Sequence, residues 1–112
     1  MIDEVRSIAV VVTDPKKSIE FYTQKLGFEL RNNNEHWITV APKGSRTLLH
    51  LCQSEKPEPG NTGVWLHVDN LEKSYDELSK KGVKFTKAPK DEGWGKYAMV
   101  SDPDGNEFWL LE

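Results

Sequence analysis

Residues 7–30, SIAVVVTDPKKSIEFYTQKLGFEL, and residues 63–85, GVWLHVDNLEKSYDELSKKGVKF, follow one pattern. At an offset of 56, Ser7 faces Gly63, Val10 faces Leu66, Val12 faces Val68 and Ser18 faces Ser74. One deleted residue later, Gly27 lies over Gly82 and Phe28 over Val83. An internal repeat of this length is one supersecondary unit used twice, so the chain is expected to fold as two like modules.

Each copy has its own start and stop signals. The run Ile8 to Val12 is apolar and rich in β-branched residues, which suit a pleated surface. Asp14 then reads as a helix N-cap, with Pro15 at the first helical position, where its missing N–H costs nothing. Ile19, Tyr22 and Leu26 form a helical stripe, and Gly27 supplies a positive-φ stop. In the second copy Asn70 is the cap, Leu71, Tyr75 and Leu78 the stripe, and Gly82 the terminator. These apolar stripes read as core.

Three strands are expected after each helix: about 28–33, 36–41 and 46–53, then about 83–87, 96–101 and 106–111. Pro42-Lys43-Gly44-Ser45 and Asp102-Pro103-Asp104-Gly105 turn between the last two strands of each set. The order βαβββ, twice, is an α+β fold. By length, residues 1–112 form one domain, with module 1 at about 1–53, a polar linker rich in Pro at 53–62, and module 2 at about 63–112.

Composition excludes several function classes. The net charge is −3, and 15 basic residues are scattered among 18 acidic ones, with no cluster to meet phosphates, so nucleic-acid binding is not expected. No run of about 18 apolar residues exists, so no membrane helix is expected. The start MIDEVRSIAV lacks a long apolar segment, and a cytoplasmic location is the default. Cys52 is the only cysteine, which rules out an intrachain disulfide and reads as a small buried residue. Four tryptophans exceed what a core of this size needs, and large flat side chains often line ligand sites.

The segments VVVTDPKKSIEFYTQKLGFEL (10–30), HWITVAP (36–42), LHVDNLEKSYDELSKKGVKF (66–85) and WGKYAMVSDPDGNEF (94–108) resemble the vicinal oxygen chelate superfamily. This is the glyoxalase, bleomycin-resistance and extradiol-dioxygenase group. The resemblance covers nearly the whole chain and implies paired βαβββ modules whose curved sheets form a cup. In short chains it implies a homodimer in which modules of two copies complete each cup. Metal-using members place ligands on the first and last strands of each module, and the ion also binds two substrate oxygens.

Carried onto this chain, those ligand positions fall on Ser7, His50, Gly63 and Trp109. An ion needs three or four imidazole or carboxylate groups within roughly 2.0–2.6 Å, and only His50 qualifies. The expectation is therefore no metal and no cofactor, with enzymatic activity left uncertain. A displaced site built from His50, His67 and Glu107 is the alternative. The cup-facing set becomes Ser7, His50, Trp65, His67 and Trp109, with Trp37 as a further candidate, and Trp94 and Tyr97 on the segment KDEGWGKYA (90–98). Each mid-strand Trp also has a plainer reading, as core or dimer interface. His36 reads as an exposed residue at the start of a strand. No Gly-x-Ser-x-Gly elbow, phosphate loop or cup-facing carboxylate pair occurs. The resulting reading is a binding protein of the bleomycin-resistance type for a small aromatic or partly apolar molecule. The alternative is a metal-dependent lyase, isomerase or dioxygenase.

Overall fold

A computed structural model describes residues 1, 3–35, 37–54, 60–93 and 95–112. Two compact units divide the chain, Met1–Glu58 and Pro59–Glu112. Module 1 contains β1 (Ser7–Val12), α1 (Pro15–Glu20), β2 (Glu29–Asn34), β3 (Trp37–Ala41) and β4 (Leu48–Gln53). Module 2 contains β5 (Gly60–His67), α2 (Leu71–Lys80), β6 (Lys84–Asp91), β7 (Lys96–Ser101) and β8 (Asn106–Leu111). The sheets run β1-β4-β3-β2 and β5-β8-β7-β6, the same order in each module. In both, the first strand pairs parallel to the last and the other neighbours are antiparallel. The α+β fold with paired βαβββ units stands as expected.

The local chemistry explains the elements. Asp14 Oδ1 accepts from the amides of Lys16 and Lys17 at 3.0 and 3.3 Å, and Asn70 Oδ1 accepts from Lys73 at 3.0 Å. Gly27 and Gly82 stop the two helices at φ 76° and 84°, a region where a Cβ would clash with its own backbone. Helix α1 differs from expectation, because after Glu20 it widens into a π-helical turn, Phe21–Lys25. Leu26 N bonds Phe21 O at 3.1 Å, five residues back. The extra residue per turn lets Phe21 and Tyr22, adjacent in sequence, both bury their rings. Tyr22 meets Phe21 edge-on at 5.2 Å and Phe28 at 5.8 Å.

Each sheet has a helix-side apolar face. In module 1 it carries Val10, Val12, Val40, Leu49 and Leu51, all buried. In module 2 it carries Val100, Phe108 and Leu110, with Tyr75 of α2 edge-on to Phe85 at 4.7 Å. The period-two alternation leaves the opposite face of each sheet for other work.

The turn between β7 and β8 is held by its own side chains. Asp102 Oδ1 accepts from the amides of Asp104 and Asn106, and Asn106 Nδ2 donates to Asp102 Oδ2, all at 2.9 Å. Asp102 and Asn106 are both buried, so this acidic motif fixes the entry to β8.

Candidate functional site

The open face of the module 2 sheet is laid out in ranks, each a row of side-by-side residues crossing all four strands. One rank reads Trp65, Trp109, Met99, Lys87 from β5 to β6. The next reads His67, Leu111, Tyr97, Lys90. Tyr97 and Trp109, diagonal neighbours, stack at 4.6 Å with 29° between planes. Tyr97, Met99 and Leu111 form a buried cluster against which Trp109 packs. Trp65, 59% exposed, extends this aromatic floor to the β5 edge.

The β6 end of the face is charged. Lys87 Nζ donates to the Tyr97 hydroxyl at 2.5 Å and lies 4.5 Å from the centre of the Tyr97 ring, a cation–π contact. The same ammonium pairs with Glu92 at 2.8 Å. The hydrogen bond Lys87 donates to Glu92, then the one it donates to Tyr97, raise its pKa above the ordinary value. The Lys87 hydrogen bond in turn holds the Glu92 carboxyl below its ordinary range. Lys87 is not legible from strand alternation, because register shifts on either side of it decide which rank it closes.

The matching rank of module 1 reads Ala9, His50, Thr39, Asn32. Thr39 Oγ1 donates to Asn32 Oδ1 at 2.7 Å, and Thr39 is fully buried. His50 packs against Trp37, ring centres 4.4 Å apart. Cys52 corrects the expectation of a small buried residue: it is half-buried, and its Sγ lies 3.3 Å from His50 Nδ1. His50 and Cys52 line a cavity of about 440 Å³ with Pro15, Glu35, Ile38 and Leu51. That volume falls within the usual range for small-molecule pockets.

Of the residues singled out from sequence, Trp65, His67, Tyr97 and Trp109 share the open face of module 2. Ser7 and His50 share a face of module 1, one rank apart. Gly63 lies within β5, and Trp94 and His36 lie outside the described residues. The described residues do not suit a metal. Among them no three His, Cys, Asp or Glu side chains converge. Where a carboxylate ligand would sit, Trp109 presents an indole, which has an N–H to donate and no lone pair for an ion, and it is already stacked on Tyr97. In the displaced alternative, Glu107 and His67 lie two ranks apart along the face, a separation of roughly 13 Å along the strands. Glu107 also accepts from Thr86 Oγ1 at 2.7 Å.

A profile of the Glyoxalase/Bleomycin resistance protein/Dioxygenase superfamily matches residues 4–110. The chain belongs to this superfamily. Among solved relatives in the superfamily, a member from Sphaerobacter thermophilus is 36% identical, with a TM-score of 0.89 over 99% of this chain and 98% of that one. TnmS3, an antibiotic-binding protein from Streptomyces sp. CB03234, is also 36% identical, with a TM-score of 0.85 over 98% and 95%. Lactoylglutathione lyase of Escherichia coli O157:H7 is 28% identical across 90% of this chain and 86% of its own. The superfamily therefore spans binding proteins and enzymes around one fold.

Proposed function

We propose that this chain binds a flat aromatic small molecule on the open face of module 2, without a metal, as a stoichiometric binder. One observation carries this reading: the position that would hold a carboxylate ligand holds Trp109, stacked on Tyr97 beside exposed Trp65. Indole and phenol faces bind planar rings through dispersion and quadrupole contacts while excluding water. The likeness to an antibiotic-binding protein at 36% identity supports it. In this reading His67, one rank along from Trp65 on the same face, supplies a hydrogen bond at the periphery, and the chain works as a cytoplasmic homodimer.

The test is a calorimetric titration with the neutral planar probe anthraquinone-2-carboxamide in the presence of EDTA. Saturable binding of one probe per site, weakened at least tenfold by Trp109→Ala, is expected. Binding that requires an added divalent ion would overturn the reading.

The lactoylglutathione lyase relative favours a second reading, a metal-dependent lyase. It requires a stoichiometric ion in the purified protein, shed on His50→Ala. The donor set described above argues against it.

A further inference from the structure

The aromatic floor ends at a row of lysines, and their spacing is unusual for a strand. Lys84 pairs with Ser101, Lys87 with Met99 and Lys90 with Tyr97. Along β7 those partners are two residues apart, yet along β6 the lysines are three apart. Two register shifts, between Phe85 and Lys87 and between Lys87 and Lys90, absorb the extra residues. A bulge inserts one residue and restores the facing direction. The consequence is that Lys84, Lys87 and Lys90 all close ranks of the same open face.

Lys87 is the one aimed inward. Its side chain is 37% exposed, against a buried Tyr97, and its ammonium sits at the rim of the Tyr97–Trp109 stack. An ammonium has three donors. Tyr97 takes one, and the Glu92 carboxylate, on the turn after β6, takes another. Glu92 N bonds Gly95 O at 3.0 Å, which forms that turn. The protein thus already seats one of its own carboxylates at the edge of the aromatic floor. That carboxylate is 27% exposed and surface-seated, so it can return to water at little cost when another anion replaces it.

We propose that Lys87 makes this face selective for planar aromatic acids, the ligand's carboxylate displacing Glu92 while its rings stack on Trp109, which the buried Tyr97 backs. This rests on the binding reading above and names the chemical class of its ligand. Exchanging one carboxylate for another at the same ammonium is nearly neutral in Coulomb energy. Stacking tips the balance, because a ligand held on the floor presents its carboxylate at high effective concentration. The displaced Glu92 carboxylate regains water while the ammonium keeps a charged partner, an exchange the amide cannot make, so an acid should outbind its amide. The charged groups around the exchange are Lys90, Asp91 and Glu92, with Lys90 helping to hold Glu92 ionised and Asp91 opposing it.

Paired titrations with anthraquinone-2-carboxylate and anthraquinone-2-carboxamide at pH 7 test this. The unmodified protein should bind the acid about fivefold to tenfold more tightly than the amide. Lys87→Met should bring that ratio close to one. Glu92→Gln, which leaves the ammonium intact, should strengthen acid binding at least threefold and leave the amide unchanged. Equal affinities in the unmodified protein, or a ratio unmoved by Lys87→Met, would overturn the assignment while amide binding still upheld the aromatic floor. Failure of both probes to bind would remove the floor and the assignment together.

Discussion

The two modules build the same ladder and use it differently. In module 1 the central rank of the open face is Ala9, His50, Thr39, Asn32; in module 2 its counterpart is Trp65, Trp109, Met99, Lys87. The first is small and polar and satisfies itself through the Thr39–Asn32 bond. The second is broad, apolar and ends in a cation. Backbone pairing fixes where side chains stand, and the side chains alone decide what the place does. The two equivalent stages carry different sets: module 1 pairs Trp37 with His50, and module 2 stacks Trp109 on Tyr97 beside Trp65.

The largest effect should come from the helix-side face, which each module has in the same form. Phe108, at the position matching Leu49, is fully buried on the face that carries Val100 and Leu110. Phe108→Ala should cost about 3–5 kcal/mol and Leu49→Ala about 2–5 kcal/mol in urea unfolding. A loss below about 1 kcal/mol at either site would show that the helix-side faces are not equivalent cores. Next comes the contrast between the open faces. Trp109→Ala should weaken anthraquinone-2-carboxamide at least tenfold, whereas His50→Ala, its counterpart, should change it less than threefold. Equal losses would erase the division of labour.

A smaller contrast lies on the helices. The Ser18 hydroxyl is buried with no hydrogen-bond partner among the described residues, while its repeat partner Ser74 is half-buried. Ser18→Ala should therefore stabilise by about 1 kcal/mol, and Ser74→Ala should be close to neutral. A thermal melt that moves equally for both would contradict the packing difference. The smallest effect is the pH response of the Lys87–Glu92 pair. Glu92 has a lowered pKa, so its contribution is present above the ordinary carboxylate range and fades as pH falls through its folded value. Lys87 has a raised pKa, so its contribution is present below the ordinary lysine range and fades only as pH rises through its folded value. The melting-point difference between the unmodified protein and Glu92→Gln should be steady from pH 6 to 9 and vanish near pH 2. A difference that persists at pH 2 would mean the pair is not its source.

Sequence patterning made the repeat, the caps at Asp14 and Asn70, the glycine stops and most strands legible, because each depends on residues close in the chain. Trp109 could be placed because the repeat and the Asp102–Asn106 turn pin the register of β8. Three features escaped. The π-helical turn is decided by burying Phe21 and Tyr22 together, which is a tertiary demand. The approach of Cys52 to His50 needs side-chain geometry as well as strand alternation. The lysine row is invisible to a period of two, since two bulges stretch β6 to a period of three. A KxxKxxK spacing entering a strand region was the available clue.

Strand β6 lies at the end of its sheet, so its outer hydrogen-bonding groups have no neighbour within that sheet. Irregular register, three ammonium groups and Pro89 make it a poor template for a strand from another molecule. The residues that discriminate among ligands would then also keep the protein from polymerising edge to edge. Neutralising them to retune binding would expose the chain to self-association, a coupling that limits how freely this border can change.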